Sequence, residues 1–269
     1  MGKILSTIFA FILSVNTSTV VYEQKGIDEE KQSRVVLDNE IQESVVVDEI
    51  VAIKSPTISY SSSSSGWWTY PSDIKGVTRS GDDLLVLVNK EYQLPSTYAP
   101  SDLVSASLSG IRKGESYLLR NILINDLKEL VSAATADGID LSIRSGYRSY
   151  STQVSTYNYW LSVNGGSVAA TDKISARAGH SQHQLGTAVD FSSSEIQDGL
   201  GGVFSSTQAS VWLANNAYKY GFVMSYPSGY ESVTGYSYES WHYRYIGKAN
   251  AQEMNSKGLI LELYLRSKN

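Results

Sequence analysis

His180, His183 and His242 are the only histidines in this 269-residue chain, and it has no cysteine. Thiolate metal sites, iron–sulfur clusters, disulfides and a cysteine nucleophile are thereby excluded, so any metal must be held by histidine and carboxylate. His183 and Asp190 stand seven residues apart, with Gly186 between them. Asp190 sits between Val189 and Phe191, where a carboxylate needs a partner or a metal to offset its burial. Gly186 lets the backbone turn back, so that a loop histidine can reach a strand carboxylate.

A second element, Glu239-Ser240-Trp241-His242, places a carboxylate three residues before an imidazole. On a regular strand these two would point to opposite faces. A shared site therefore requires a bend at or just before Trp241, with His242 opening the strand and Glu239 in the preceding turn. Two imidazoles, one carboxylate and one spare carboxylate are the minimum for hydrolytic zinc: three protein ligands, an open position for water, and a base. Glu239 can take the water's proton and hand it to the leaving amine. Arg148, leaving a strand end, is the cation best placed to pair with a carboxylate or a developing oxyanion in two-pronged fashion. The same residues also admit plainer readings, as core or surface histidines and a surface ion pair. Ser181, beside His180 and His183, would suggest a serine hydrolase, but no Gly-x-Ser-x-Gly elbow surrounds it. His180 reads as a neighbour of the ligands or a substrate-facing group rather than a ligand.

The elements that must position these residues are short and mixed. Residues 84–88 (Leu-Leu-Val-Leu-Val) read as a buried strand. Residues 117–136 read as an amphipathic helix, with Leu119, Ile122, Leu123, Leu127, Leu130 and Ala134 on one face and Gly138 as its stop. Residues 139–144 alternate as a strand and lead into the turn Ser145-Gly146-Tyr147-Arg148. A helix over 151–161, strands over 187–191, 222–225 and 241–246, a helix over 208–220 and a C-terminal helical tail complete the pattern. Without regular βαβ alternation the class is α+β: a small mixed or antiparallel sheet with flanking helices, carrying a single zinc site. There are no internal repeats.

Upstream, Lys3 precedes a nearly unbroken apolar stretch from Ile4 to Val15, so residues 1–20 are expected to be a signal peptide or an N-terminal anchor. With no cysteine after it, a lipoprotein anchor is excluded. Residues 21–80 are expected to be an acidic and then serine-rich flexible linker. The stretch 21–50 carries a net charge of −6, against −5 for the whole chain, so the acidity belongs to this segment and says nothing of the substrate. Trp67 and Trp68, after Ser61–Ser65, are expected to cover a domain edge. With 42% hydrophobic and 18% charged residues the remainder is globular. No basic patch suggests nucleic acid.

The pattern Ser181-x-His183-x-x-Gly186-x-Ala188-x-Asp190, followed by Glu239-x-Trp241-His242, resembles the VanY-like D-alanyl-D-alanine carboxypeptidases, a family that includes LdcB/DacB-type L,D-carboxypeptidases. The likeness extends through Ser145-Gly146-Tyr147-Arg148 with Gln153, Lys219-Tyr220-Gly221-Phe222 and Thr234-Gly235-Tyr236, over about residues 84–266. It implies one Zn²⁺ held by His183, Asp190 and His242, Glu239 as catalytic base, and Arg148, Gln153, Ser181 and Trp241 at the substrate. Gln182 departs from the glutamate of many relatives, and Ser240 from a frequent proline. The implied activity is removal of the C-terminal D-alanine from peptidoglycan stem peptides outside the cytoplasm; no protein partner is implied, and a monomer is expected because no exposed apolar stripe is left over. The alternatives are L,D-carboxypeptidase action on tetrapeptide stems and a non-catalytic cell-wall-binding protein.

Overall fold

The computed structural model describes residues 68–269 and, separately, an antiparallel pairing of Ser14–Val15 with Ser18–Thr19. Apart from that pairing, the expected export segment, the acidic stretch, the serine run and Trp67 lie outside the described residues.

A four-stranded antiparallel sheet organises the domain. Its strands are β1 (Leu141–Ser145), β2 (Ala188–Ser193), β3 (Phe222–Met224) and β4 (His242–Tyr245), in the order β1-β2-β4-β3. All three pairings are antiparallel. The two central strands are buried along their whole length, so each must offer suitable side chains to both faces. On one face Val189 and Phe191 of β2 and Tyr243 and Tyr245 of β4 enter the main core. Phe191 meets Tyr243 and Phe222 edge-on, with ring centres 5.6 and 6.2 Å away. Strand alternation then sends Asp190 and His242 to the other face.

Helix α1 (Ile124–Ala136) covers the core face with Leu127, Leu130 and Ala134, each fully buried. Helix α2 (Tyr150–Val163) starts at Ser149, whose hydroxyl caps Thr152 N–H at 3.1 Å. Gln153 is the only buried residue of α2. The helix is held from its inner side by Gln153 Nε2 donating to Ala176 O at 2.6 Å and Tyr157 Oη donating to Asp172 Oδ1 at 2.8 Å. Helix α3 (Gln208–Asn216) is capped by Thr207, and the Glu195 carboxylate accepts from Gln208 and Ala209 N–H at 2.9 and 3.1 Å, where its charge meets the positive end of the helix. Helices α4 (Lys248–Ser256) and α5 (Leu261–Arg266) form the helical tail and bury a second cluster with Leu87 and Val223.

Two local expectations are corrected. Residues 84–88 form no strand, although Val86, Leu87 and Val88 are buried. Their side chains fill two separate clusters, and the buried Arg244 takes the Leu84 and Val86 carbonyls at 3.0 and 3.3 Å in place of a ladder partner. Residues 117–123 are not α-helical either. Leu118–Arg120 pairs antiparallel with Leu103–Ser105, a 3₁₀ turn follows, and the α-helix begins at Ile124. The extended backbone is spent on the site: Tyr147 N–H donates to Leu118 O at 2.7 Å and Arg120 N–H to Gly186 O at 2.9 Å. Ile122, placed on the apolar face by helical spacing, is consequently half exposed. Residues 68–80, read from composition as the end of the linker, include a parallel pairing of Lys75–Gly76 with Tyr92–Gln93. Trp68 stands against Arg266 at the domain edge, 5.3 Å from ring centre to guanidinium.

Candidate active site

His183 lies in the 3₁₀ turn Gln182–Leu185, which Ser181 caps by accepting His183 N–H at 3.3 Å. The turn ends at Gly186, with φ +66°, where a Cβ would come within 3.0 Å of Arg120 and Leu103 side chains. Only glycine combines that left-handed backbone with so close an approach, and the chain reverses there directly into β2. Asp190 follows on β2, and His242, the first residue of β4, is its direct cross-strand partner. The bend required before Trp241 is present: His242 N–H donates to Glu239 O at 3.3 Å and Glu239 N–H to Tyr226 O at 3.0 Å. β1 and β2 are offset between Ile143 and Ser145, an irregularity that frees the turn carrying Gly146 and Arg148.

Asp190 Oδ2 lies 3.2 Å from His183 Nε2, and its Oδ1 lies 2.9 Å from His242 Nδ1. The outward nitrogens are engaged elsewhere. His183 Nδ1 donates to Gly146 O at 2.7 Å, and His242 Nε2 faces Gln182 Oε1 at 3.2 Å. Gln182 is itself fixed by the Ser225 hydroxyl, which donates to the same oxygen at 2.7 Å. Each ring is thus oriented by one nitrogen and directs the other at a single carboxylate. One donor atom from each of His183, Asp190 and His242 falls within 4.8 Å of the others, all three residues are buried, and ligands about 2.0–2.2 Å from a zinc ion span such separations. The donor set therefore fits a metal, and two imidazoles with one carboxylate leave a position open for catalysis.

Glu239 Oε2 is 3.8 Å from His242 Nδ1, with 14% of its side chain exposed. Burial, reinforced by the Asp190 charge, pushes its carboxyl well above the usual range, while Arg148 opposes the shift. Burial likewise pushes the His183 imidazole down to about 4, against the pull of Asp190. For Asp190 burial acts upward, but the two imidazoles outweigh it and hold the carboxyl below its ordinary value. Arg148 N–H donates to His183 O at 3.1 Å and Arg148 Nη2 reaches Ser145 Oγ at 3.4 Å. Burial lowers its guanidinium somewhat, and Asp190 and Glu239 offset that.

These groups line one cavity of about 150 Å³. It brings together His183, Asp190, His242, Glu239 and Arg148, and also Gln153, Ser181 and Trp241. Gln153 Oε1 is buried and makes no bond within the protein, which leaves an acceptor for a ligand. His180 is not in the lining; its Nδ1 donates to Asn89 O at 2.7 Å and its ring meets Tyr70. Sequence alone did not single out Tyr226 or Trp160, and Tyr236 entered only as part of the family resemblance; all three also line the cavity. Tyr226 packs on His242 with ring centres 4.9 Å apart and on Tyr236 at 4.7 Å. Gln182, noted only as a departure from a family pattern, proves to be the residue that orients His242.

Residues 116–248 match the family model described as VanY, D-alanyl-D-alanine carboxypeptidase. The Bacillus subtilis (strain 168) protein YodJ is 39% identical over 202 residues, covering 72% of this chain and 73% of YodJ. The solved structure of the LdcB LD-carboxypeptidase superposes with a TM-score of 0.65 at 36% identity, covering 72% of this chain and 90% of that one. A mutant D,D-pentapeptidase VanY from a VanB-type resistance cassette, solved in complex with Zn(II), gives a TM-score of 0.56 at 32% identity, covering 67% and 98%.

Proposed function

Because the chain belongs to the VanY family of D-alanyl-D-alanine carboxypeptidases, we propose that it is a D,D-carboxypeptidase that removes the terminal D-alanine from pentapeptide stems of peptidoglycan, using one zinc ion. The observation that carries this reading is the convergence of His183 Nε2 and His242 Nδ1 on the two oxygens of Asp190, with Glu239 beside them. His183, Asp190 and His242 would hold the metal. When bound, zinc supplies Lewis acidity and lowers the pKa of water at its open position to about 7.

The protein's own groups do the rest. Glu239 accepts the proton of the attacking water and delivers it to the nitrogen of the departing D-alanine, a task suited to a carboxyl whose burial raises its proton affinity. Arg148 pairs with the terminal carboxylate of the stem, since guanidinium and carboxylate match in a two-pronged geometry. Gln153 Oε1 accepts a backbone N–H of the peptide, while Ser181 and Trp241 form part of the cavity that receives it. A binding module would gain nothing from a carboxylate held at 3.8 Å from a ligand imidazole.

Action outside the cytoplasm is supported by the substrate and by the apolar stretch after Lys3. Among the described residues no helix is long and apolar enough to cross a membrane.

The likeness to LdcB favours one second reading, L,D-carboxypeptidase action on tetrapeptide stems. Mass spectrometry of synthetic pentapeptide and tetrapeptide stems separates the two. Loss of one alanine from the pentapeptide alone supports the first reading, and loss from the tetrapeptide alone supports the second. No loss from either stem by the zinc-loaded protein overturns both.

A further inference from the structure

Trp68 and Tyr70 precede everything in the family match, which begins at residue 116, yet they are built into the surroundings of the cavity. Tyr70 Oη accepts Arg177 N–H at 2.8 Å and lies 3.3 Å from Tyr236 Oη. The Tyr70 ring meets His180 edge-on at 4.9 Å, and the Arg177 guanidinium stands 4.1 Å from its centre. These partners lie on the segments that frame the site. Arg177 follows Ala176, whose carbonyl holds Gln153; His180 opens the turn to His183; Tyr236 lines the cavity and packs on Tyr226.

Lys90 ties the same pieces together. It is buried, and its Nζ donates to Asp172 O at 2.7 Å, Gly235 O at 2.5 Å and Trp68 O at 3.5 Å. The ammonium also stands 4.5 Å from the Tyr236 ring centre and 5.4 Å from that of Tyr70. Gly235 records how close the fit is. Its φ is +77°, and a Cβ there would lie 2.7 Å from Trp68 O and 2.9 Å from Lys90 Cδ.

We propose that Tyr70 is a positioning residue for the substrate, joining the 176–180 segment to Tyr236 and so setting the Tyr226–Tyr236 wall of the cavity. This rests on the carboxypeptidase reading. The metal-ligating groups also have anchors of their own, in the β2–β4 ladder and at Gly146 O, so loosening Tyr70 weakens peptide binding more than it disturbs the chemistry. The hydroxyl matters beyond the ring, because its loss strands the Arg177 N–H and the Tyr236 hydroxyl.

The test compares full-length Tyr70→Phe and Tyr70→Ala with the wild type in steady-state release of D-alanine from a pentapeptide stem, alongside zinc content and hydrogen exchange. Tyr70→Phe is expected to raise KM about 5-fold and Tyr70→Ala about 20-fold, the scale of the two hydrogen bonds to the hydroxyl and of those bonds together with the ring contacts. Zinc content and kcat stay within about 2-fold. Exchange across residues 234–237 speeds up in both variants while Glu239, β2 and β4 keep their protection. An unchanged KM, or a joint fall of kcat and zinc content at constant KM, overturns the proposal and leaves Tyr70 a scaffold residue only. If the wild type releases no alanine, the carboxypeptidase reading fails. Unchanged exchange at 234–237 would then overturn the positioning role separately.

Discussion

Asp190 and His242 face each other across adjacent antiparallel strands, with Asp190 Oδ1 2.9 Å from His242 Nδ1. Both therefore project from one face of the sheet, while their strand neighbours Val189 and Tyr243 project into the core on the other. A slip of one residue would exchange candidate ligands for core residues, so the hydrophobic packing that sets the register also sets the candidate metal site.

Asp190→Asn keeps the size of the side chain and removes the charge that both imidazoles address. Zinc affinity is expected to fall by more than the about 10–100-fold typical of losing a partner outside the ligand set. Competition against a fluorescent chelator measures it, and retention of wild-type affinity would remove Asp190 from the ligand set.

Glu239→Gln leaves the three candidate ligands untouched and removes the proton acceptor. The expected result is normal zinc content with kcat lowered about 10²–10⁴-fold. A variant that retains more than a tenth of the wild-type kcat would rule out Glu239 as the base.

Arg148→Lys preserves charge and loses the planar fork. We expect kcat/KM for a stem with a free C-terminus to fall about 10–100-fold. A stem amidated at its C-terminus provides the control. Its already poor turnover is expected to be nearly indifferent to the substitution, and an equal loss on both substrates would assign Arg148 to the reacting centre instead.

Burial lowers the His183 imidazole to about 4, from about 6.5 in an unfolded chain. Above pH 6.5 both states are neutral here and the group contributes nothing to pH dependence. As pH falls from 6.5 towards 4 the unfolded chain takes up the proton first, so the metal-free protein loses stability across that window, by roughly 3 kcal/mol at most. Urea midpoints measured in chelator between pH 4 and 7.5 are expected to decline with acidity and to decline less steeply in His183→Gln. An identical slope in the variant would assign the loss to other groups.

The candidate ligands were legible in the chain because their chemistry is local. Three histidines, no cysteine, and carboxylates at short spacings leave few ways to assemble a hydrolytic metal site. Most of the sheet was legible too, since alternation over 139–144 and the run 187–191 are local signals. The two corrections share a cause. Residues 84–88 look like a strand and 117–123 like a helix by periodicity, but their backbone groups are claimed by Arg244 and by the turns at Gly146 and Gly186. Such demands come from residues far along the chain and leave no trace in a local window.

The sequence by itself determined the donor types, the candidate base and cation, and the two turns that bring them near a sheet, because residue identity and short spacing carry that information. Tertiary structure alone decided which nitrogen of each imidazole faces Asp190, through Gly146 O and Gln182 Oε1. It alone joined Tyr70 to Tyr236, 166 residues apart in sequence, beside the cavity of the candidate site. Orientation depends on partners distant in the chain, and only packing brings those within hydrogen-bond reach.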